Sequence, residues 1–484
     1  MLPHLKLSYY NFFIPHPERK IYIVYNSFAN SMIKVNWDEG IILSKLNSME
    51  IHYLDIELID LLRKNGMIIS KDVDEFVEIR KRANAGRKAC EDSSTLFFVI
   101  APTNTCNMNC PYCFQGDKNP KNADTKYLND DNMNALKKMV YETIHKPHAV
   151  PITDISVEWF GGEPLVRKKA IEDFSSYVIP LAEENNLGYS SAIITNGTLL
   201  DRETWDMLHR CKVKEVQITI DGSRDMHNKM RMYVSGKGTY DKILDNLELM
   251  PEGKFTTIIR INGDKMVYNN LPGLFDDLEA RGIWPQRRKE ITFHWAPKFY
   301  NYVGYNQEKD VYFTSYEYQK SKHDFALLRL ERYNDYARRY GLPQRKLKVA
   351  YPAFSEFYCN TVESPNSLSI DDGGYIHKCY NTINNKEKRI QHISEFNPGN
   401  DGLNHFKKFD KTAQPDCRTC KVLPICEETC NMRFVDNQES KICSSWKYFM
   451  EEKMIAVYEQ NFGDERDPEQ GNEILSRSGV ISLD

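Results

Sequence analysis

The sequence has no hydrophobic run long enough to cross a membrane. Its longest compact apolar stretch is LFFVIAP at residues 96–102, far short of the roughly 18 residues that a spanning helix needs. A basic excess is also missing, since the formal charge is -4. This excludes a general nucleic-acid binder, which needs an excess of cations to neutralise phosphates. The first residues lack a secretory signal pattern, so we expect a cytoplasmic protein with no membrane or nucleic-acid partner.

Cysteine is unevenly spread along the chain. The first 85 residues have none, whereas three cysteines lie at positions 106–113 and seven between positions 359 and 443. The cytosol keeps thiols reduced, so the total of 12 cysteines does not indicate a disulfide framework. Two separate groups of thiols indicate metal sites instead. Cys90 and Cys211 fit neither group and are typical of buried small hydrophobic residues.

Strand and helix patterns divide the chain into five segments. Residues 1–85 predict a hairpin and short helices, as in YLDIELIDLLRKNGMII, where Gly66 ends a helical pattern. From 86 to 297, strand patterns alternate with amphipathic helices, which predicts an α/β fold with a parallel sheet and chemistry at the carboxyl ends of its strands. The predicted strands are LFFVIAP, ISVEWF, SAIITN, EVQITID, FTTIIRIN and EITFHWA. Residues 298–355 predict a helical bridge, 356–462 a cysteine-rich domain organised by metal, and 463–484 a polar, mobile tail.

The segment TNTCNMNCPYCF, residues 103–114, spaces Cys106, Cys110 and Cys113 as C-x3-C-x2-C. Three thiolates can hold three irons of a [4Fe-4S] cube and leave the fourth iron open to a ligand. The alternative is a zinc site that a distant His or Asp completes. The array alone allows both interpretations.

The motif GGEP, residues 161–164, follows the strand ISVEWF. Its two glycines let a ligand approach the backbone closely, and Glu163 can receive a cation such as an amino group. Gly and Pro also occur in ordinary strand-to-helix turns, so the motif alone is weak. Its place one strand after the cysteine array favours the iron-sulfur interpretation.

Together these motifs resemble the radical S-adenosylmethionine (radical SAM) superfamily, and the resemblance implies a partial (β/α)6 barrel. In that family, S-adenosyl-L-methionine binds the open iron and is cleaved to a 5′-deoxyadenosyl radical. The resemblance implies cluster ligation by Cys106, Cys110 and Cys113, with Tyr112 beside the adenine. It also implies that the methionine amino group is held by Gly161, Gly162 and Glu163.

Three later motifs extend the resemblance. ITNGT at 194–198 and ITIDG at 218–222 are similar to strand ends of the family, and HNKMR at 227–231 is similar to the HDxxR stretch of its peptide-modifying branch. The cofactor-pocket residues that these motifs imply are Thr195, Asn196, Thr219, Asp221 and Arg231, with Arg260 and Asn262 as weaker candidates. The guanidinium of Arg231 would face the cofactor carboxylate.

The seven downstream cysteines follow the spacing C-x14-G-x4-C, then C-x2-C-x5-C-x3-C, then C, and the glycine is Gly374. Zinc knuckles are one interpretation, since C-x2-C alone favours zinc. The full pattern resembles the SPASM domain, which carries two auxiliary [4Fe-4S] clusters in radical SAM peptide maturases. The resemblance implies one cluster held by Cys417, Cys420, Cys426 and Cys443, and a second held by Cys359, Cys379 and Cys430.

Two positions depart from the sulfatase-maturing relatives. Pro365 stands where they have a further cysteine, so the second auxiliary cluster is one thiol short and its fourth ligand stays open. Tyr380 stands where they have a catalytic aspartate. A tyrosine stays neutral near pH 7 and is a poor base, which argues against formylglycine formation.

The leading hypothesis is an oxidoreductase that matures a ribosomally synthesised precursor peptide. It would use three [4Fe-4S] clusters and S-adenosyl-L-methionine, with a flavodoxin- or ferredoxin-type electron donor. The N-terminal segment resembles winged-helix-like modules that recognise a leader peptide by strand addition, although a plain cap over the barrel is the alternative. Auxiliary clusters suit an oxidative thioether or carbon-carbon cross-link better than a redox-neutral epimerisation. No catalytic residue is assigned.

Two other functions stay open at this point. One is a radical SAM dehydrogenase or sulfatase-maturase-like enzyme that acts on another protein or a small molecule. The other is a zinc-binding protein without catalysis.

Overall fold

The computed structural model describes residues 4–47, 50–113, 115, 127–148, 150–298, 312–408, 410–428, 430 and 442–462, and the backbone of residues 474–475. The predicted polar tail lies outside these ranges apart from Ile474 and Leu475, as do residues 299–311 of the predicted bridge. No helix in the described ranges is long and apolar enough to cross a bilayer.

The N-terminal segment is an antiparallel sheet with helices. Its elements are β1 (Leu5–Leu7), β2 (Asn11–His16), β3 (Ile21–Asn26), β4 (Ser31–Asn36), α1 (Trp37–Lys45), α2 (Ile56–Lys64), β5 (Ile68–Ser70) and α3 (Glu75–Glu91). Strands β2, β3 and β4 pair in sequence order, and β1 pairs with β5. Gly66 adopts a left-handed φ of 69° directly after α2, as its position in the helical pattern predicts. Helix α3 continues across position 85, where the sequence predicts a domain boundary.

The central segment is the predicted parallel sheet with helices between its strands. Its elements are β6 (Thr95–Ile100), α4 (Asp130–His145), β7 (Asp154–Trp159), α5 (Lys168–Glu184), β8 (Gly188–Thr195), α6 (Arg202–Arg210), β9 (Val213–Thr219), α7 (Arg224–Met230), α8 (Tyr240–Glu248), β10 (Thr256–Gly263), α9 (Lys265–Asn269), α10 (Leu271–Ala280) and β11 (Ile291–Pro297). Strands β6 to β11 pair in parallel with their sequence neighbours, which confirms the α/β fold class.

The helices cover one face of this sheet because their apolar residues recur at helical spacing. On α5, Ile171, Phe174 and Val178 are fully buried in the core between helices and sheet. From the sheet, Val157 and Trp159 of β7 enter the same core. Strand side chains alternate between faces, so their neighbour Glu158 lies on the opposite, inner face of the partial barrel.

The C-terminal segment completes both sheets. Its elements are α11 (Ser315–Arg339), α12 (Asn360–Glu363), β12 (Ser367–Ile370), β13 (Tyr375–His377), β14 (Gln391–His392), α13 (Pro415–Arg418), α14 (Ser445–Tyr448), α15 (Met450–Phe462) and β15 (Ile474–Leu475). Strand β12 pairs in parallel with β6, and β13 and β14 follow it, so the barrel sheet continues into the cysteine-rich segment. The sequence patterns do not predict this pairing.

Helix α15 covers one face of the N-terminal sheet. Met450, Met454 and Val457 pack with Ile23 of β3 and Met32 of β4 in one buried cluster. The opposite face packs against α1 and α2 through a separate cluster. The N-terminal segment, which the sequence suggests to be a separate unit, therefore shares a core with the last helix of the chain.

This shared core predicts that a change in α15 loosens the N-terminal sheet. Met454→Ala removes a fully buried side chain and should destabilise the protein by about 2–5 kcal/mol. Amide hydrogen exchange in β3 should then speed up. The exposed Glu452→Ala on the same helix should leave β3 exchange unchanged. Unchanged β3 protection in Met454→Ala would mean that the N-terminal sheet is stable without α15.

Candidate functional site at the carboxyl ends of the strands

The loop after β6 carries Cys106, Cys110 and Cys113 at the carboxyl edge of the sheet. Cys106 is buried, whereas the other two thiols are partly exposed. The sulfur of Cys106 accepts the backbone N–H of Met108 at 3.4 Å and the side-chain N–H of Asn196 at 3.7 Å. Such hydrogen bonds stabilise a thiolate and tune the potential of a cluster that it holds. Asn196, a predicted pocket residue, thus contacts a predicted cluster ligand.

The glycines of GGEP lie against this cysteine loop. The backbone N–H of Gly162 donates to the carbonyl of Thr103 at 3.0 Å, and the N–H of Glu163 donates to that of Thr105 at 2.9 Å. A Cβ on Gly162 would lie 2.3 Å from the Thr105 oxygen and 2.4 Å from the Asn104 oxygen. Gly161 has a φ of 110°, which favours glycine. The glycines are therefore needed for close approach to the cysteine loop as well as to any ligand.

Glu163 is fully buried and holds neighbouring loops together. Its Oε1 accepts the Thr195 hydroxyl at 2.8 Å and the Leu165 N–H at 3.0 Å, and its Oε2 accepts the Asn196 N–H at 2.7 Å. Both carboxylate oxygens thus bind the protein itself. Contact between Glu163 and the methionine amino group stays a prediction, and the structure adds a positioning role at the end of β8.

Tyr112, Asp221 and Arg231 form a polar cluster beside the cysteine loop. The Tyr112 hydroxyl donates to Asp221 and accepts from Arg231 Nη1 at 2.6 Å, while Arg231 and Asp221 are 4.0 Å apart. The second Asp221 oxygen accepts the N–H of Asn262 at 2.8 Å. Arg231 Nε is buried and has no hydrogen-bond partner in the described part of the chain. An unsatisfied guanidinium donor fits the carboxylate-binding role that the resemblance implies for Arg231.

His227 of the HNKMR motif is structural. It is fully buried, and burial lowers its pKa well below the usual range, so the ring is neutral. Its Nδ1 accepts the Asp221 N–H at 3.1 Å, which leaves the proton on Nε2 for the Thr239 hydroxyl at 3.0 Å. Thr239 in turn donates to the Arg231 carbonyl at 2.5 Å. This chain of hydrogen bonds fixes Arg231 relative to Asp221.

Thr219 and Arg260 lie on neighbouring strands at the same level. Thr219 is the buried last residue of β9, and its Cα pairs with that of Arg260 on β10. The Arg260 Nε donates to Asn262 at 2.8 Å. The structure therefore brings the stronger and weaker pocket candidates together at one edge of the sheet.

Lys298 is a residue of this site that the motifs do not reveal. It follows β11 directly, and its Nζ lies 3.9 Å from the centroid of the Tyr112 ring and 3.8 Å from Asp264. Burial lowers its pKa, against the opposing effect of Asp221 and Asp264. A charged residue immediately after a predicted strand was the available signal, but one lysine in WAPK is too common to single out.

The inner face of the barrel carries a carboxyl group that the sequence did not indicate. Burial raises the pKa of Glu158 to about 7, and the negative charge of Glu215 contributes to the same shift. Phe160 lies further along on the same face and meets Tyr380 edge to face, with ring centroids 5.6 Å apart. Ile383, three residues after Tyr380, joins this apolar cluster. Glu158 of β7 and Phe160, which directly follows β7, thus share the inner face, and Phe160 is the residue that contacts Tyr380.

Four downstream cysteines line one cavity, as the predicted first auxiliary set requires. Its lining includes Cys417, Cys420, Cys426 and Cys443. Helix α11 positions the last of these, because Gln319 Nε2 donates to the Cys443 carbonyl at 2.7 Å and the Cys443 N–H donates to Ser315 at 3.0 Å. Lys447 Nζ lies 3.5 Å from the Cys443 sulfur. The bridge therefore holds a predicted cluster ligand.

The other three downstream cysteines also approach one another. Cys359 packs with Cys379 in a small buried cluster around Val362. Burial raises the pKa of Cys359, and the nearby Cys430 raises it further. Hydrogen bonds from the backbone N–H groups of Val362 and Thr361 act in the opposite direction. Cys359 and Cys430 are 71 positions apart in the sequence, so it is the fold that brings them together.

Asp372 joins the cysteine-rich segment to the first cysteine loop. Its Oδ2 accepts the Asn104 N–H and its Oδ1 accepts the Asn104 side-chain N–H, both at 3.0 Å. Asp372 lies in the turn between β12 and β13, next to Gly373 and Gly374, and Gly374 has a φ of 79°. The glycine of the C-x14-G-x4-C pattern thus lets this turn fold back onto the first loop.

The thiols of the first cysteine loop must lose protons before they can hold metal. Burial raises the pKa of Cys110 to about 11, Arg231 opposes this, and the neighbouring thiols add to it. Metal loading must therefore displace protons from these thiols.

Cys90 and Cys211 lie away from the thiol groups. Both are buried, and the Cys90 sulfur lies 3.3 Å from the Asn360 side-chain oxygen. Cys211 packs in the barrel core beside Met207. These surroundings agree with the expectation of buried small hydrophobic residues.

The contact of Gly162 with the cysteine loop yields a prediction. Gly162→Ala forces a Cβ against two backbone oxygens, so the loop must move and cluster loading should fall. Iron and acid-labile sulfide, measured after anaerobic purification, should drop by about one cube per chain. Gly399→Ala is the control, because a Cβ there meets only the Asn397 side-chain oxygen, at 3.3 Å, and Gly399 is not among the glycines with a positive φ. Full iron loading in Gly162→Ala would contradict the inferred contact.

Comparison with known proteins connects this site to a family. The family model described as the radical SAM superfamily matches residues 100–274. The cysteine-type anaerobic sulfatase-maturating enzyme of Clostridium novyi (strain NT) is 29% identical over 159 residues, which cover 32% of this chain and 40% of the relative. The Fe-coproporphyrin III synthase of Methanosarcina barkeri is 28% identical over 181 residues, 37% of this chain and 40% of the relative. The chain thus spans about two fifths of the length of these relatives.

A solved structure shares the fold over a larger part of the chain. Native anSMEcpe with bound AdoMet and Cp18Cys peptide aligns with a TM-score of 0.51 and 17% identity, covering 76% of this chain and 98% of that one. The matched family residues contain the first cysteine loop, GGEP and the polar cluster described above. The family also implies a [4Fe-4S] cluster and S-adenosylmethionine, which the loop and Arg231 fit. Residues 100–274 of the chain therefore match the radical SAM superfamily, and the sulfatase-maturating relative and the solved structure share part of its sequence and its fold.

Proposed function

We propose that this enzyme oxidatively modifies a ribosomally synthesised precursor peptide, by forming a thioether or a carbon-carbon cross-link. When bound, its first cluster and S-adenosyl-L-methionine would supply the 5′-deoxyadenosyl radical that removes a hydrogen atom from the substrate. The observation that carries the proposal is the union of three thiol groups in one fold, with Asp372 tying the cysteine-rich segment to the first loop. A three-cluster enzyme with a flavodoxin- or ferredoxin-type electron donor is part of the proposal.

A relative supports a peptide substrate. The solved anSMEcpe structure holds a peptide together with AdoMet, and its fold matches three quarters of this chain. The relationship to anSMEcpe alone would suggest formylglycine formation. This chain has Tyr380 directly after Cys379, at the position where that reaction would need a catalytic aspartate. We therefore propose a peptide substrate without that particular reaction.

The N-terminal sheet supports recognition of a leader. Strand β4 is the outermost of the three N-terminal strands β2, β3 and β4, and the chain's own β15 pairs with its outer side in antiparallel register. An edge that accepts one extended segment has the exposed N–H and C=O groups that strand addition needs. We propose that a precursor leader binds at this edge.

A small-molecule substrate is the second candidate. The similarity to an Fe-coproporphyrin III synthase is the observation that favours it. A small-molecule enzyme would not need a leader-binding edge, so an excess of a peptide that occupies β4 should spare its turnover. The peptide proposal predicts that such a peptide suppresses peptide modification while cleavage of S-adenosylmethionine continues.

The test is anaerobic expression together with the short open reading frame next to the gene. The purified enzyme should be brown and carry about twelve irons, four for each cube. The peptide should lose the mass of two hydrogen atoms per cross-link. Replacing Cys106, Cys110 and Cys113 by alanine should remove one cube and all modification, whereas Cys211→Ala should keep both. The proposal would be overturned if the purified protein were colourless and contained zinc, or if no co-expressed peptide changed in mass.

We further propose that Glu158 accepts the proton released in this reaction. Forming a new bond from C–H and X–H groups removes one hydrogen atom, one proton and one electron. The hydrogen atom leaves with the adenosyl radical, the predicted auxiliary clusters are the electron acceptor, and a base must take the proton. Glu158 lies two residues before Phe160 on the inner face of the barrel, and Phe160 contacts Tyr380.

The raised pKa of Glu158, about 7, gives this role a pH signature. Below pH 7 the carboxyl is protonated and accepts no proton, so the yield of modified peptide per cofactor cleaved should fall as the pH drops through 7. Glu158→Gln should lower this yield by about 10²-fold or more and remove the pH dependence, while 5′-deoxyadenosine still forms.

Glu215→Gln is the matched variant. Removing the neighbouring negative charge lowers the pKa of Glu158, so the fall in yield should move to lower pH. Arg260 and His294 share this face and are 3.5 Å apart; burial and the neighbouring Arg260 and Lys322 lower the pKa of His294 to about 4, outside this range. Identical pH profiles in the native enzyme and Glu158→Gln would contradict the role.

A further inference from the structure

The C-terminal end of the chain returns to the N-terminal sheet. Ile474 pairs with Ile33 and Leu475 with Met32, both antiparallel, so β15 is the outer strand of a four-stranded sheet ordered β15, β4, β3, β2. Eleven residues separate Phe462, the end of α15, from Ile474. The segment that follows the last helix therefore occupies the edge where strand addition is proposed.

The two edges of this sheet differ in how well they accept a strand. Strand β2 contains Pro15, which cannot donate to a ladder, and the Lys421 side chain already binds the carbonyl of Asn11. Strand β4, SMIKVN, contains no proline. Both faces of the sheet are covered, one by α1 and α2 and the other by α15. An added strand at β4 would thus find hydrogen-bonding groups at the edge and apolar side chains on either side.

We propose that the segment around Ile474 and Leu475 is a built-in competitor for the β4 edge, which an incoming extended peptide must displace. The occupant and the ligand would use the same main-chain chemistry, because β15 pairs antiparallel with Met32 and Ile33 of β4 and an added strand would pair in the same way. The identity of the displacing ligand as a precursor leader rests on the proposed function. The occupation of the β4 edge by the chain's own β15 does not depend on that function.

Tethering makes a short pairing effective. A segment joined to its site by a short linker acts at an effective concentration on the order of millimolar. Few paired residues then suffice to cover the edge, yet they give little resistance to a longer strand. Covering the edge also prevents the edge-to-edge association to which an open strand is prone.

The test uses the full-length protein with Ile474→Pro and Leu475→Pro together. Proline removes the N–H and fixes φ, so β15 cannot pair. The β4 amide that donates to β15, at Met32 or Ile33, should exchange at least tenfold faster than in the native chain, whereas amides that donate to β3 should change little. A double proline at Ile481 and Ser482, outside the paired residues, is the control and should leave β4 exchange unchanged.

A labelled synthetic peptide of residues 470–479 is the binding probe. It should bind the Ile474→Pro/Leu475→Pro chain at least tenfold more tightly than the native chain, whose edge is occupied. Equal β4 exchange in both proteins, or equal peptide affinity, would overturn the proposal. If both measurements follow the expectation but no precursor peptide is ever modified, the proposed function fails and the self-occupied edge stands.

Discussion

The buried carboxylate of Glu163 is the interaction on which the site depends. A charge without solvent is tolerated only when hydrogen bonds satisfy it, and Glu163 obtains them from Leu165, Thr195 and Asn196. Its own backbone N–H reaches back to Thr105 in the cysteine loop. Two strand ends and the cysteine loop are therefore held by one residue. Through Asn196, which also contacts the Cys106 sulfur, this arrangement extends to the ligand that the cluster would use.

The cysteine-rich segment is part of the barrel rather than an attachment to it. Strand β12 extends the same sheet beyond β6, and Asp372 accepts a hydrogen bond from Asn104, two residues before Cys106. In the other direction, α11 holds the backbone of Cys443. Hydrogen bonds thus fix the first cysteine loop and Cys443 relative to the elements around them.

Local patterns in the sequence predict the parts of this structure that depend on local physics. The six parallel strands follow from their apolar runs, and the spacing of the cysteines predicts the thiol groups that the fold assembles. What the patterns miss depends on pairing between distant residues. Lys298 over Tyr112, Glu158 beside Glu215, and the packing of α15 on β3 join residues from separate elements, and no periodicity marks them. The GGEP motif predicts a role for Glu163, but its hydrogen bonds to Thr195 and Asn196 depend on how the ends of β7 and β8 lie side by side in the fold.

The pairing of β6 with β12 has a consequence for synthesis of the protein. A ribosome completes β6 at residue 100, whereas β12 ends at residue 370, so the edge of the nascent barrel stays open while some 270 residues are added. The face of the N-terminal sheet that α15 covers stays exposed for longer still, because α15 is made after β12. Contacts of such sequence separation slow folding and leave apolar edges exposed to association with other chains. The barrel edge is therefore covered only after β12 is made, and the N-terminal sheet only after α15 is made.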